Sequence, residues 1–192
     1  MQLSMLKYAV VALAAHTSGV LSQSTPAQVV ANIKSLTNKS KALQAPANDI
    51  SLISGPLIVV GQGPFPKIIL GFSDIVSTAT AALPAMQVMP PVPPGTDSDL
   101  IFDAFREFVY VHQVLLNILI GKAGLFTVVP LIGAPVAAAL RAIEGVVDKA
   151  AFTLINNVQS RAGDIQDEAG KLKGSLSTSI EKYQGLTKGS LL

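Results

Sequence analysis

The segment from residue 96 to residue 120 constrains the fold more than any other part of the sequence. Helix caps are available at its start, where Thr96, Asp97 and Ser98 stand, and glycines follow its end. The polar residues of this segment fall on one narrow stripe of the predicted helix, and they are Asp99, Asp103, Arg106, Gln113 and Asn117. Most of the remaining circumference is Phe, Leu, Ile or Val, so other helices are expected to surround it.

Apolar residues spaced three and four apart predict five more helical segments. These span residues 25–43, 48–60, 67–83, 135–161 and 164–183, and a proline-rich connector spans 84–95. Thr25, Pro26 and Gln28 predict a capping box for the first helix, and Asn48 or Asp49 is the expected cap of the second. No run of alternating β-branched residues between hairpin turns interrupts this pattern. The predicted fold class is therefore all-α, a single-domain bundle of about five to six helices with an apolar interior.

Composition excludes several functional classes. The chain has 192 residues, of which 49% are hydrophobic and 14% charged, whereas an average soluble domain is roughly 25% charged. The formal net charge of +2, without a run of like charges, argues against nucleic acid as a partner. The absence of cysteine excludes disulfides, a cysteine-ligated zinc site and a cysteine nucleophile.

Residues 1–22 have the layout of a secretory signal peptide. Lys7 supplies the basic region, Tyr8–Ala15 is the apolar stretch, and Ser22 is a small residue at the expected cleavage point, with Gly19 as the other possibility. We therefore expect the protein to be secreted and extracellular.

The helical domain is predicted to span residues 23–192. One uncharged stretch, Ala123–Leu140, contains Pro130 and Pro135, which divide it into pieces too short to cross a bilayer as one helix. No transmembrane segment is predicted.

Two polar residues fall on stripes that should face the interior. Ser40 shares a face of the first helix with Ile33 and Leu36, and His112 lies at the centre of the apolar face of the fourth. His112 is either a neutral core histidine with a protein partner or a group that meets the head of a bound ligand. Ser40 either bonds the carbonyl four residues earlier or contacts that ligand.

Large apolar residues on the same stripes are either plain core or the lining of a ligand cavity. Together with Ser40 and His112, the predicted ligand-binding residues are Phe72, Phe105, Phe108, Leu115, Leu119, Leu140, Ile143 and Val147. The wide apolar arc of the fourth helix favours a cavity, because small residues and prolines limit how closely its neighbours can approach.

No catalytic, metal or cofactor site is predicted. The sequence has no G-x-S-x-G elbow, H-E-x-x-H pair or Walker loop. A Ser/His/Asp triad would need His112 as its base, and a histidine buried in mid-helix suits packing better than proton transfer. Asn38 begins the sequon Asn-Lys-Ser on the outer face of the first helix, which predicts a glycosylation site.

The order of these elements resembles a known family. A secreted, cysteine-free chain with Asn48–Ile50, then Gly71–Ile75 on a helix, a proline-rich connector and a long final amphipathic helix is similar to the fungal hydrophobic surface-binding protein A family. That family includes the cell-wall galactomannoproteins of the Mp1 type.

The resemblance implies an extracellular or wall-associated glycoprotein whose helical bundle holds a long-chain fatty acid or similar apolar ligand. This is the first functional hypothesis, and it requires no enzyme activity. The second, also implied by the family, is a surface-active protein that adsorbs to hydrophobic surfaces and recruits a secreted hydrolase. The two hypotheses differ in where apolar surface lies, inside the bundle or on it.

Overall fold

The computed structural model describes residues 23–57, 61–126 and 130–188, and every regular element in these ranges is helical. The helices are α1 (Pro26–Ala42), α2 (Gln44–Asn48), α3 (Ser54–Leu57), α4 (Pro64–Gln87), α5 (Thr96–Ala123), α6 (Pro130–Asn157) and α7 (Ala162–Lys188). One 3₁₀ turn follows α5 at Gly124–Phe126, and another precedes α7 at Gln159–Arg161. The predicted all-α bundle is confirmed. The predicted signal peptide, residues 1–22, lies outside the described residues.

The five long helices form a closed ring. Its main packing order is α1, α4, α6, α7, α5 and back to α1, so each helix packs chiefly against two others. Each presents one apolar stripe to the interior, and the stripes meet in one continuous core. The short helices α2 and α3 lie in the connection between α1 and α4.

The start of α1 confirms the predicted cap. Thr25 Oγ1 accepts a hydrogen bond from the Gln28 backbone N–H at 3.2 Å, and the Gln28 side chain accepts one from the Thr25 N–H at 2.8 Å. The start of α5 differs from the prediction, because the cap residue is Gly95, with φ +140°, and none of the three predicted residues. Ser98 still takes part, since its hydroxyl donates to the Gly95 carbonyl at 2.7 Å.

The predicted helix over residues 48–60 is not continuous in its described part, residues 48–57, and residues 58–60 lie outside the described residues. Asn48 ends the short helix α2, and the chain is irregular until α3 begins at Ser54. The Lys122 ammonium group donates to the carbonyls of Asn48 and Ile50 at 3.0 Å each. These two carbonyls therefore accept hydrogen bonds from a side chain of α5. A continuous helix would instead have bonded them to backbone N–H groups four residues later.

Two prolines were predicted to bound helices, yet both lie within them. Pro84 lies inside α4, which continues to Gln87, and Pro135 lies inside α6, which begins at Pro130. Both rings are exposed, so each lost backbone hydrogen bond falls on the solvent side, where water replaces it.

The proline-rich connector is fixed at the end of the bundle. The Asn157 amide donates to the Met86 carbonyl at 2.7 Å, and the Val92 N–H donates to the Asn157 carbonyl at 2.7 Å. Arg161, just before α7, donates to Asp99 on α5 at 2.7 Å. These bonds hold the C-terminal end of α6 against the end of α4 and the start of α5.

Within the described ranges, α4 alone has the length and hydropathy of a membrane-crossing helix, with a mean hydropathy of 1.5 over its most apolar stretch. In the bundle its stripe of Ile68, Phe72 and Ile75 packs into the core. Its other face is exposed at Ser73, Ser77 and Thr80.

Candidate functional site

Two buried polar side chains meet in the apolar interior. Helix α1 places Ser40 one turn beyond Leu36, and α5 places His112 one turn beyond Phe108. Ser40 Oγ lies 2.9 Å from His112 Nδ1, and both residues are fully buried. The predicted bond of Ser40 to the carbonyl four residues earlier does not form, because the hydroxyl is directed at the imidazole. The pair therefore links two helices through the core.

The other nitrogen of the His112 ring has no partner. Nε2 is buried and lacks a hydrogen bond to any described residue. Two aromatic rings flank the imidazole, with centroids 5.4 Å away for Phe108 and 6.1 Å for Phe72. A buried polar atom without a partner is uncommon in folded proteins and costs free energy. Nε2 is thus available to a group that enters the interior.

Burial sets the protonation state of His112. It lowers the pKa of the imidazole from 6.5 to about 4, so the ring is neutral at pH 7. A neutral imidazole carries one proton, on Nδ1 or on Nε2. If the Ser40 hydroxyl donates to Nδ1, the proton is on Nε2, and Nε2 can donate to a carboxylate oxygen. In the reverse arrangement Nε2 accepts, and it suits a protonated acid or an alcohol.

An apolar cavity lies beside this pair. The centre of a water-sized molecule can occupy about 30 Å³ of this cavity. Four helices of the ring line it. The lining residues are Asn32, Ile33 and Leu36 of α1, Ile75, Ala79, Ala82 and Met86 of α4, Phe105 and Phe108 of α5, and Val146, Val147, Ala150 and Leu154 of α6. Phe108 lines the cavity and also contacts His112, so this ring separates the cavity from the polar pair.

The predicted site residues are all buried, but they do not all adjoin the cavity. Phe105, Phe108 and Val147 line it. Phe72 lies against His112, and the remaining four pack in the core away from the cavity wall; these are Leu115, Leu119, Leu140 and Ile143. Their contact with a ligand stays a prediction.

The sequence reasoning missed most of the wall that α1 and α4 supply. Ile33 shares the predicted inner face of the first helix with Ser40, and it is buried, as are Ile75 and Ala79 of α4. Which stripe residues border a void depends on how the helices pack. The small side chain of Ala79 was the available signal, because alanine leaves space between helices.

Other predicted features lie away from this interior. Asn38 is exposed on α1, as the glycosylation prediction requires, and its modification remains a prediction. No group of three or more histidine or acidic residues in the described ranges is arranged to hold a metal ion.

Comparison with solved structures identifies proteins of the same fold. One is AfMp4p in a crystal structure of its complex with palmitic acid, with a TM-score of 0.72, 14% identity, and coverage of 83% of this chain and 99% of that one. Another is ligand-binding domain 1 of the Penicillium marneffei MP1 protein complexed with arachidonic acids, with a TM-score of 0.62, 14% identity, and coverage of 81% and 98%.

No family model and no curated protein matches the sequence. At 14% identity, the structural likeness shows a shared fold. The resemblance to Mp1-type proteins, expected from the order of elements, is therefore confirmed at the level of the fold.

Proposed function

We propose that this chain is a secreted, non-enzymatic protein that binds a long-chain fatty acid or a similar lipid inside its helical bundle. The observation that carries the proposal is that Nε2 of His112, which has no partner among the described residues, is separated from an apolar cavity by the Phe108 ring. This pairs one polar atom with apolar walls, as an acyl chain with a single polar head requires. The shared fold with proteins whose structures contain palmitic and arachidonic acids supports the same class of ligand.

The head group is assigned to the end of the site at His112. A carboxylate that accepts from Nε2–H would satisfy a donor that otherwise has no partner, and the Ser40 hydroxyl would hold the ring in that tautomer from the other side. The acyl chain would extend between Phe105, Phe108 and Val147, where each buried methylene contributes about 0.8 kcal/mol.

The interior must expand to accept such a ligand. The cavity of about 30 Å³ accommodates no more than a water-sized group, whereas ligand pockets are typically about 300–1,000 Å³. Side chains that separate the cavity from His112, Phe108 first, must rotate when the ligand enters.

Secretion is part of the proposal. It is supported by the signal-like pattern of residues 1–22, and the exposed sequon at Asn38 leaves room for a glycan on α1. Association with a fungal cell wall would follow from the Mp1 resemblance.

A second candidate function is adsorption to hydrophobic surfaces. Ser54 Oγ donates to the Ser51 carbonyl at 2.6 Å and accepts from the Ser51 N–H at 2.8 Å, which closes a tight turn. Leu52 and Ile53 occupy the middle of this turn with exposures of 61% and 83%. Turns usually carry small or polar residues there, so an aliphatic pair is a specific feature that favours contact with an apolar surface.

The carrier proposal is tested by filling the cavity. Ala79 lines it and is nearly buried, so Ala79→Leu should lower the affinity for palmitic acid by about tenfold or more, which equals 1.4 kcal/mol or more. Affinity is measured by displacement of the fluorescent fatty acid cis-parinaric acid. Ala142→Leu, on the exposed face of α6, is the control and should bind normally. Wild-type affinity in the folded Ala79→Leu variant would place the ligand elsewhere.

A further inference from the structure

The line of contact between α1 and α4, called here the α1–α4 seam, is fastened at its two ends. At one end the Ser24 N–H donates to the Ala85 carbonyl at 3.0 Å. At the other, Lys39 forms an ion pair with Asp74, and the Leu43 side chain lies against Gly71. The two helices are therefore antiparallel, and the middle of α1 faces the middle of α4.

The middle of the seam differs from its ends in lacking polar bonds between the two helices among the described residues. In the described residues, no hydrogen bond or ion pair joins α1 to α4 from Gln28 to Leu36. It is also the least extensive of the five helix contacts that close the ring. Three other contacts carry polar bonds within their length in the described residues. They are Ser40 with His112 between α1 and α5, Gln113 with Ser175 between α5 and α7, and Lys173 with Asp148 between α7 and α6.

The middle of the seam separates the cavity from the surface. A surface groove with polar and small side chains runs along its outer side, and Asn32 and Ala82 line both this groove and the interior cavity. Both residues are partly exposed. Two side chains, one on each helix, thus stand between solvent and the apolar interior.

Helix α4 can bend at this point. Pro84 has no N–H to donate to the Thr80 carbonyl, so the turn that carries Ala82 lacks one helical hydrogen bond. A small apolar cluster packs α4 against α6, and Leu36 of α1 packs against the same cluster. The cluster consists of Ala79, Leu83 and Val146. The missing hydrogen bond at Pro84 therefore makes the turn that carries Ala82 the place where α4 bends most easily.

We propose that the middle of the α1–α4 seam, at Asn32 and Ala82, is the entrance through which an acyl chain reaches the cavity. This inference rests on the proposed function and adds the route of the ligand. The ends of the seam keep their polar contacts while its middle opens, and the acid passes over Ala82 between the small side chains of α4.

The absence of cysteine in the sequence permits a direct test. The variant Asn32→Cys with Ala82→Cys is joined by a short bismaleimide cross-linker, and uptake of cis-parinaric acid is followed by stopped-flow fluorescence. The cross-linked protein should take up the acid about tenfold more slowly or worse than the same variant without cross-linker, because a closed gate limits entry.

The control closes the fastened end instead. Lys39→Cys with Asp74→Cys replaces the ion pair, and its cross-linked form should take up the acid at the rate of its form without cross-linker. Equal uptake by the two forms of the Asn32/Ala82 variant would overturn the entrance alone. Failure of the wild-type protein to take up any acid would overturn the proposed function, and the entrance with it.

Discussion

Ser40 Oγ on α1 and Nδ1 of His112 on α5 lie 2.9 Å apart in an interior that is otherwise apolar around them. A hydroxyl and an imidazole satisfy each other at this distance, but Nε2 of His112 has no partner among the residues that the structure describes. The pair therefore leaves one polar atom, Nε2 of His112, exposed to the apolar interior. The consequences extend to stability, ligand choice and the route of entry.

Stability is expected to depend on pH through His112. Its pKa is about 4 in the folded protein and 6.5 when unfolded, so between these values the unfolded chain binds a proton that the folded chain does not. Stability is full above pH 6.5 and falls as the pH drops towards 4, by about 3 kcal/mol at most. Urea unfolding at pH 7, 5.5 and 4.5 measures this loss.

The matched variants for this test are His112→Leu and Ser40→Ala. His112→Leu should remove most of the loss between pH 6.5 and 5, where carboxylates contribute little. Ser40→Ala keeps the buried imidazole and should keep the loss. An unchanged pH dependence in His112→Leu would show that the imidazole is not the responsible group.

Recognition of the head group is expected to depend on Nε2 of His112. The wild-type protein should bind palmitic acid more tightly than methyl palmitate, since the ester cannot act as a charged acceptor. His112→Leu should reduce this preference by about tenfold, the size of a lost charge-assisted hydrogen bond. Displacement of cis-parinaric acid by each compound gives the ratio.

Thr37→Val is the control for that experiment. Thr37 is buried on α1, and its hydroxyl donates to the Ile33 carbonyl at 3.0 Å, away from the imidazole. This variant should keep the preference for the acid. If His112→Leu also keeps it, the head group lies elsewhere in the bundle.

Close packing of α4 against the end of α1 predicts opposite effects for two glycine substitutions. A Cβ at Gly71 would lie 3.0 Å from Cγ of Leu43, so Gly71→Ala should destabilise the protein by about 1 kcal/mol or more. Gly174, on the exposed face of α7, has open space, and Gly174→Ala should stabilise by about 0.5–1 kcal/mol. Thermal unfolding compares the two, and equal effects would refute the close contact.

Adsorption to apolar surfaces is expected to depend on the turn at Leu52 and Ile53. The variant Leu52→Ser with Ile53→Ser should elute from octyl-agarose at higher salt than the wild-type protein, because two exposed aliphatic side chains are lost. Phe152→Ser removes one exposed aromatic ring from α6 and should change retention less. Equal retention of the double variant and the wild type would remove the support for the second candidate function.

The sequence predicted the long helices well because each must bury one stripe. The buried residues of these helices recur at helical spacing, as Val29, Ile33 and Ser40 do on α1 and Ile165 and Leu172 do on α7. Helix ends were less predictable where tertiary contacts decide them. Asn48 ends α2 because Lys122, 74 residues later, takes its carbonyl, and no local pattern contains that information.

The candidate site was predictable in part for the same reason. Periodicity placed Ser40 and His112 on inner faces separately. Their pairing depends on the relative position of α1 and α5 along their axes. The unpartnered Nε2, the boundary of the cavity and its thin wall at Asn32 also depend on packing between helices distant in sequence. Composition and spacing carry little information about such voids.

The central claim is that a fatty acid occupies the interior of this bundle. Native mass spectrometry of the purified protein, mixed with one equivalent of palmitic acid and then denatured and extracted, tests it most directly. The account predicts a complex with one acid per chain that releases the acid on unfolding and that is much depleted in Ala79→Leu. A protein that stays free of palmitic acid, or a complex equally abundant in wild type and Ala79→Leu, would contradict it.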